Sequence, residues 1–477
     1  MIEKRQFYID GAWVDAIKGT DCHVIDPSTE EPAAIISLGG QADTDAAVGA
    51  ARAALPAWRA TPVTERVNYV RKILDVYTAR QNEMAQAISL EMGAPIDFAL
   101  DEQVDSGDWH IKGFLKVVEE FEWEEDLYGQ KGSRILKDPI GVVGMITPWN
   151  WPMNQVALKA IPAMIAGCTM VLKPSEIAPL SSILWSEIVD EAGVPAGVYN
   201  MVNGDGPGVG TQLSSHPDVD MISFTGSTRA GIAISKSAAD TLKRVSLELG
   251  GKGANIIFAD ADDNAVKRGA KAVFENSGQS CNAPTRMLVE RSRYETAVEE
   301  AAEVAQNTRV ASGHEKGNHI GPVVSDVQYD KIQNLIQKGI DEGARLVAGG
   351  TGRPDGLNRG YFVRPTVFSD VNNEMTIMRE EIFGPVLSIM PFDTQDQAME
   401  VANDTLYGLT NYVQSSDPAK LEYFARNLQS GMVQMNGKGR GKGAPFGGTG
   451  QSGNGREGGV WGIEEFLEIK SVGGWPE

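Results

Sequence analysis

Val142-Val143-Gly144-Met145-Ile146, continued at once by Thr147-Pro148-Trp149-Asn150-Trp151-Pro152, is the stretch that decides the fold. Its first half is a short β-branched run of the kind that forms a buried strand, and its second half is a loop stiffened by prolines. The apolar residues that follow, Asn154–Ala166, read as a helix. The pattern repeats downstream. Thr169–Leu172 is a strand followed by a helix at Ser181–Ala192, and Met221–Phe224 is a strand followed by a helix from Thr228. Alternation of this kind predicts an α/β fold built on a doubly wound parallel sheet. Such sheets take their ligands at the carboxyl ends of the strands, so the residues just after Ile146, Leu172 and Phe224 are where chemistry is expected.

Working outward, a second α/β region begins near Lys252, with helical patterns at 264–275, 292–306 and 326–342 and strands near 345–348, 361–367 and 385–391. Before the first sheet, Glu119–Trp123 and Ser133–Lys137 flank a glycine-containing turn and read as a hairpin, and the tail Phe466–Val472 is also strand-like. A hairpin and a terminal strand outside both cores are candidates for pairing between subunits, in a homodimer or homotetramer.

The chain has 477 residues, 42% hydrophobic and 22% charged, which suits a globular protein of two or three domains. A net charge of −21 repels phosphate backbones and anionic lipid, so neither nucleic acid nor membrane is an expected partner. No apolar run approaches the ~20 residues that span a bilayer. The start, MIEKRQFYIDGAWVDA, has neither the apolar segment of a secretory signal nor the basic, acid-poor character of a transit sequence. The cysteines Cys22, Cys168 and Cys281 lie far apart without CxxC spacing, which fits a reduced, cytoplasmic setting. The five histidines show no metal-ligand spacing, and no metal is expected.

Four short stretches carry the chemistry. Cys281 follows Ser277-Gly278-Gln279-Ser280, where small polar residues let backbone and ligand approach a thiol; a thiolate is nucleophilic without a histidine partner if its surroundings lower its pKa. Cys168 ends an apolar helix and reads as core. Glu248, in Leu247-Glu248-Leu249-Gly250-Gly251-Lys252, ends an apolar run, and burial there would raise its carboxyl pKa toward the range of a general base. Asn150 sits on the proline-stiffened loop, where an amide serves as an oxyanion donor without reorganising. Phe224-Thr225-Gly226-Ser227-Thr228-Arg229-Ala230-Gly231 joins a strand to a helix N-terminus, an anion site suited to a pyrophosphate. Taken singly, these read equally as a core thiol, a paired glutamate, a turn asparagine and an ordinary helix start. The one GxGxxG, at Gly448, Gly450 and Gly453, has no strand before it and no helix directly after it, and is set aside as a dinucleotide fingerprint.

Together and in order, the motifs TPWNWP, KPSE, FTGSTRAG, LELGGK, GQSC, EEIFGPV and PFGGTGQSGNGREGG resemble the NAD(P)⁺-dependent aldehyde dehydrogenase superfamily from about Phe7 to Val472. The resemblance implies an aldehyde-dehydrogenase-like fold: a cofactor domain at 1–117 and 140–250, a catalytic domain at 251–448, and an oligomerisation hairpin and C-terminal strand at 118–139 and 449–477. It implies that Cys281 attacks a small-molecule aldehyde and that Asn150, with the Cys281 N–H, holds the thiohemiacetal oxyanion. Hydride then passes to the nicotinamide, and Glu248 activates the water that hydrolyses the thioester. Lys159 and Glu457 match positions that relay protons from the base. Lys173 and Glu176 match the adenosine-ribose ligands, Gly226 and Ser227 the pyrophosphate turn with Trp149 nearby, and Glu381 and Phe383 the nicotinamide-ribose end. Trp151 is expected in the substrate tunnel. A carboxylate at Glu176 suits the ribose hydroxyls of NAD⁺ and repels a 2′-phosphate, so NAD is expected, with NADP the alternative because Ser175 stands beside Lys173.

Two departures from the commonest family pattern stand out. Thr449 and Gly450 replace an aromatic and a lysine after Gly448, and Gly437-Lys438-Gly439-Arg440-Gly441-Lys442-Gly443 replaces a more apolar substrate loop. Those cations either attract aldehydes with a remote carboxylate or belong to a solvated loop. The competing activities are a CoA-acylating semialdehyde dehydrogenase and an acyl-phosphate reductase on the same fold, neither of which needs Glu248 to activate water; a third possibility is a catalytically silent binding homologue.

Overall fold

The computed structural model describes residues 1–476. The strands are β1 (Ile2–Lys4), β2 (Phe7–Ile9), β3 (Ala12–Val14), β4 (Thr20–Asp26), β5 (Glu31–Leu38), β6 (Glu124–Asp126), β7 (Ser133–Pro139), β8 (Val142–Ile146), β9 (Thr169–Lys173), β10 (Tyr199–Met201), β11 (Met221–Thr225) and β12 (Arg244–Glu248). They continue with β13 (Ala254–Ile257), β14 (Arg286–Glu290), β15 (Arg345–Ala348), β16 (Thr366–Ser369), β17 (Val386–Phe392), β18 (Thr410–Gln414), β19 (Met432–Met435) and β20 (Leu467–Gly473).

The first large sheet has the order β12-β11-β8-β9-β10-β2-β3. Its first five members are parallel, and β2 and β3 add an antiparallel hairpin at one edge. Successive residues face opposite ways, as the pleat requires. Val143, Met145, Met170 and Leu172 join the core shared with helices Val63–Ala79, Pro152–Ala166 and Leu180–Glu191, whereas Val142, Val171, Ile222 and Phe224 pack on the other face with Val48 and Ala51 of helix Gln41–Ala60. Helices therefore cover both faces, and every residue of β8, β9 and β11 is buried. That double burial is why these strands read as unbroken apolar runs. Within the parallel part the chain starts at β8, builds outward through β9 and β10, then returns to the other side of β8 with β11 and β12. The switch point lies between β8 and β11, and their carboxyl ends carry Thr147–Pro152 and Gly226–Ser227.

The second large sheet runs β15-β16-β17-β14-β13-β18-β19, parallel except for β15. Here too the faces alternate: Ile256, Leu288 and Phe368 go to one core, Ile257, Met287 and Val367 to the other. The remaining strands form two small sheets, β1-β5-β4 and β20-β7-β6. In the latter, β20 pairs with β7 along its full length.

Two expected strands are displaced. The hairpin's first arm is Glu124–Asp126 rather than Glu119–Trp123; Trp123 contributes only its carbonyl, to the Lys137 N–H at 3.0 Å. The strand expected at 361–367 begins at Thr366, immediately after Pro365, whose missing N–H cannot join the ladder. Segment 449–458, expected to belong with the oligomerisation strand, lies against β12: the N–H groups of Asn454 and Gly455 donate to the Leu247 carbonyl at 3.1 and 3.0 Å, and that of Leu249 to Ser452 at 3.0 Å.

Candidate active site

At the switch point the two large sheets face each other across a cavity of about 200 Å³. Pro148, Trp149 and Asn150 line it from the end of β8, Thr225, Gly226 and Ser227 from the end of β11, and Leu249 and Gly250 from the end of β12. Cys281, Gln328, Lys331, Glu381 and Phe383 close it from the second half. Trp149 meets Phe383 edge to face, ring centroids 5.5 Å apart. The residues that converge here lie more than two hundred positions apart in the chain.

The loop before Cys281 is held in an unusual backbone. Asn276, Ser277 and Gly278 are consecutive left-handed residues, with φ of 50°, 56° and 74°. A side chain on Gly278 would overlap the backbone of Gly384, so glycine is required there. Hydrogen bonds fix the strained turn. The Asn276 amide donates to the carbonyls of Asn150 (3.0 Å) and Gln279 (3.2 Å), and the Ser277 hydroxyl donates to the Gly321 carbonyl (2.7 Å). Gln279 donates to the Asn276 carbonyl (3.1 Å) and accepts from the Val324 N–H (2.9 Å). Asn150 Nδ2 donates to the Gln279 carbonyl at 3.0 Å, and Gln103 Nε2 donates to the Asn150 carbonyl at 3.0 Å. The Cys281 loop and the Asn150 loop thus form one rigid polar network, with one amide proton of Asn150 left over. Trp151 packs edge-on to Phe98 at 5.8 Å and donates Nε1 to Ser280 Oγ at 2.9 Å, beside Cys281.

Burial pushes the Cys281 thiol well above its usual pKa, and the carboxylates of Glu381 and Glu248 add to that. Cys168 is fully buried and raised to about 11, an inert core thiol. Cys22 is half-buried on β4, away from this cavity.

Glu248, the last residue of β12, is 2% exposed, and neither carboxyl oxygen has a hydrogen-bond partner among the described residues. Side chains on Gly447 or Gly455 would stand 2.8 and 2.9 Å from its Oε1, so both glycines keep the room it occupies. Burial and the charge of Glu457 hold its pKa well above the carboxylate range, opposed by Lys159 and Arg456. Lys159, on helix Pro152–Ala166, forms a buried ion pair with Glu457 and donates to Thr225 Oγ1 at 2.7 Å. Base candidate and relay candidates therefore share one buried compartment.

The remaining expected ligands lie further along the same sheet edge. Lys173, at the end of β9, spends its ammonium on the carbonyls of Pro174 (2.8 Å) and Gly204 (2.6 Å) and on Glu176 Oε2 (3.2 Å), leaving the other oxygen of Glu176 free. Ser227 caps helix Thr228–Ala238, its side chain accepting from the Ala230 N–H at 3.3 Å. Glu381 accepts from the Gly251 N–H at 2.9 Å and lies against Gly250, where an added side chain would displace the Glu381 carboxyl. Among the described residues no cluster of three or more His, Cys, Asp or Glu side chains could hold a metal ion, and no helix is long and apolar enough to cross a membrane.

A family model described as the aldehyde dehydrogenase family matches residues 13–472. The chain belongs to the aldehyde dehydrogenase family. A relative named 3-succinoylsemialdehyde-pyridine dehydrogenase, from Pseudomonas sp, is 49% identical over all of this chain (100%) and 99% of that protein. A crystal structure of an aldehyde dehydrogenase from Bartonella henselae superposes with a TM-score of 0.99 at 59% identity, covering 100% of both chains. A cysteine-to-alanine variant of aldehyde dehydrogenase C from Pseudomonas syringae, in complex with NAD⁺ and octanal, gives 0.97 at 45% identity, covering 99% of this chain and 97% of that one.

In this aldehyde dehydrogenase the structure brings Cys281, Asn150, Trp149, Gly226, Ser227, Glu381 and Phe383 to one cavity. Glu248, Lys159 and Glu457 form the adjoining compartment, and Lys173 and Glu176 lie at the end of β9. Sequence reasoning missed Gln103, Asn276 and Gln279, which set the Cys281 loop, and Thr225, which accepts from Lys159. Thr225 directly precedes the glycine turn and Asn276 opens the run into GQSC, so both carried a local signal. Gln103 sits on a wide helical turn at Ala99–Val104 and carried none.

Proposed function

We propose that this protein oxidises an aldehyde to a carboxylic acid with NAD⁺, using Cys281 as nucleophile and Glu248 as general base. The reading rests above all on one observation: a thiol and a rigid amide donor converge on a cavity at the sheet's switch point, with a buried, unpaired carboxyl behind it. The site suits a dinucleotide. Glu176 keeps one oxygen free for ribose hydroxyls, the helix start at Gly226–Ser227 offers N–H groups to a pyrophosphate, and Glu381 offers a carboxylate beside the Trp149–Phe383 slot. When bound there, the nicotinamide supplies the acceptor for the two electrons the aldehyde loses.

In this reading the Cys281 sulfur adds to the aldehyde carbon, and the oxyanion of the thiohemiacetal is met by Asn150 Nδ2 and the Cys281 N–H. The hydrogen bond of Asn150 to Gln279 means that its free proton is already aimed, at no cost in reorganisation. Once the thioester has formed, Glu248 takes a proton from the attacking water and passes it toward Glu457 and Lys159. Its environment matches that task, because a base must hold a proton well enough to remove it from water. Thiolysis by CoA would leave such a carboxyl idle, so we infer free acid as the product. A relative named for a pyridine-bearing semialdehyde, a neighbour holding octanal, and the aromatic pair Trp151–Phe98 put aromatic and long aliphatic aldehydes first in a substrate panel. We further propose a cytoplasmic homo-oligomer.

Single-turnover kinetics test the roles. Glu248→Gln should release one equivalent of NADH and then stall; steady turnover near wild type would refute the assigned base. Cys281→Ala should release none, and Asn150→Ala should lower kcat by ~10²–10³. Adding CoA to wild type should leave free acid as the product. The kcat/KM with NAD⁺ should exceed that with NADP⁺; the reverse order would refute the role given to Glu176.

A further inference from the structure

The helical segment ahead of the first sheet contains the wide turn Ala99–Val104, set between a short turn at Ile96–Phe98 and helix Asp105–Val117. Such a turn is rare, and where it occurs it re-aims side chains, often at functional sites. Here other side chains hold it. The Tyr77 hydroxyl donates to the Val104 carbonyl at 2.8 Å, and the Ser106 hydroxyl donates to the Gln103 carbonyl at 2.7 Å. What the turn aims is the side chain of Gln103, which is fully buried.

Gln103 Nε2 donates twice. One bond goes to the Asn150 carbonyl at 3.0 Å and the other to Asn276 Oδ1 at 3.3 Å. These acceptors belong to different halves of the molecule. Asn150 follows β8 of the first large sheet, and Asn276 opens the run to Cys281, ahead of β14 of the second. The circuit then closes on itself. Asn276 Nδ2 donates to the Asn150 carbonyl, and the side-chain amides of Asn150 and Asn276 both donate to the Gln279 carbonyl. Of the four residues, Gln103 alone lies outside both loops. Two oxygens facing it dictate its orientation, since an amide turned over would set oxygen against oxygen. The arrangement leaves Gln103 Oε1 buried and without a hydrogen-bond partner among the described residues. The fold therefore keeps the two donated bonds at the expense of a stranded acceptor.

We propose that Gln103 is a positioning residue: by tying one loop from each half, it sets the spacing between the Asn150 amide and the Cys281 N–H, so that both reach the same oxyanion. It acts from behind, since it is fully buried and does not line the cavity that holds Cys281 and Asn150. Two donors carried by separate sheets share an oxyanion only if their spacing is fixed beforehand, and a misplacement of about 1 Å costs about a hundredfold in rate. The Asn150–Gln279 bond alone fixes the direction of one amide; the Gln103 bonds add a third element, a helix, against which both loops are held. The proposal rests on the aldehyde dehydrogenase reading and adds to it a residue that works through Asn150.

The test uses Gln103→Met, which keeps the length and removes the donors, and Gln103→Asn, which keeps the amide but draws it back by one methylene. Both are compared with wild type, Asn150→Ala and the double variant Asn150→Ala/Gln103→Met. The rates followed are aldehyde oxidation with NAD⁺, the burst of 4-nitrophenolate from 4-nitrophenyl acetate, and alkylation of Cys281 by iodoacetamide. In the burst the Cys281 sulfur, its proton lost to solvent, adds to the ester carbonyl; the oxyanion then collapses to a thioester as 4-nitrophenolate leaves with the bonding pair. In alkylation the sulfur displaces iodide from a saturated carbon, and no oxyanion forms. Gln103→Met and Gln103→Asn should lower kcat and the burst rate by about tenfold or more, leaving the KM for NAD⁺ and the alkylation rate within about twofold of wild type. In the Asn150→Ala background, Gln103→Met should cost less than about threefold further, because the donor it aims is already gone. Asp101→Ala, on the exposed face of the same turn, should behave as wild type. Unchanged kcat and burst in the Gln103 variants overturn the proposal. So does loss of alkylation in step with the burst, or full multiplication of the two losses in the double variant, since these point to a displaced sulfur or a loosened fold. If wild type gives a Gln103-dependent burst yet releases no NADH from any aldehyde, the positioning role stands and the dehydrogenase reading falls.

Discussion

Cys281 rests as a thiol. Burial and the carboxylates of Glu381 and Glu248 all act against the anion. Alkylation of the cofactor-free enzyme by iodoacetamide, followed at Cys281, should therefore be slow at neutral pH and still climb in the alkaline range, because the thiolate fraction keeps rising until pH passes the thiol's raised pKa. A plateau near pH 8 would show that a cation or helix end already holds the thiolate. His110, with a pKa of about 3, stays neutral throughout such a profile and cannot account for any inflection in it. The residues proposed to carry this chemistry were readable because each stands beside a local constraint. Asn150 lies between two prolines, Glu248 precedes a glycine pair and Cys281 follows a glycine. Gln103 and Arg286 were not readable, because what they do depends on groups that only the tertiary fold brings to them: the Asn150 carbonyl for the first, and the carbonyls of Lys252, Val401 and Ala402 for the second.

Among the elements, helix Leu180–Glu191 shows how a terminus is satisfied from a distance. Its first N–H groups, on Leu180 and Ser181, find acceptors in the carboxyl of Glu91, with Ser181 at 3.1 Å. Glu91 is fully buried and its pKa rises to about 7, chiefly from burial. Glu91→Ala should lower stability by about 1–3 kcal/mol, read from urea unfolding, since two buried donors lose their partner. A carboxyl raised on folding favours the folded state only while it is protonated. Its contribution should be full below the ordinary value of 4.5, decline as pH climbs to about 7, and stay flat above. Glu91→Gln should remove that slope; a wild-type slope retained in the variant would show that the titrating group lies elsewhere. Elements with a strong apolar period were legible in the chain, β8, β9 and β11 nearly to the residue. The arm β6 was not. Glu124–Asp126 is wholly acidic and mostly exposed, so no alternation marks it, and the neighbouring Phe121 and Trp123 drew the expected strand too early.

For the whole molecule, the sheet β20-β7-β6 leaves β20 at an edge, and Ile469 on that strand is 65% exposed. An open edge bearing an apolar side chain suits a matching surface on a second copy, in line with the proposed homo-oligomer. Ile469→Glu should shift the sedimentation mass toward the monomer without altering the far-ultraviolet spectrum; an unchanged mass would remove β20 from the contact.

The placement of the chemistry across the two large sheets has a consequence of its own. Asn150 and Glu248 are carried by strands of one half and Cys281 by a loop of the other, so no fragment of the chain that folds around a single sheet holds a reactive centre. While the polypeptide is being made, the sulfur emerges after its amide and carboxyl companions, and on the proposed mechanism it becomes competent only when the later half closes onto the earlier one. Assembly itself is the arming step.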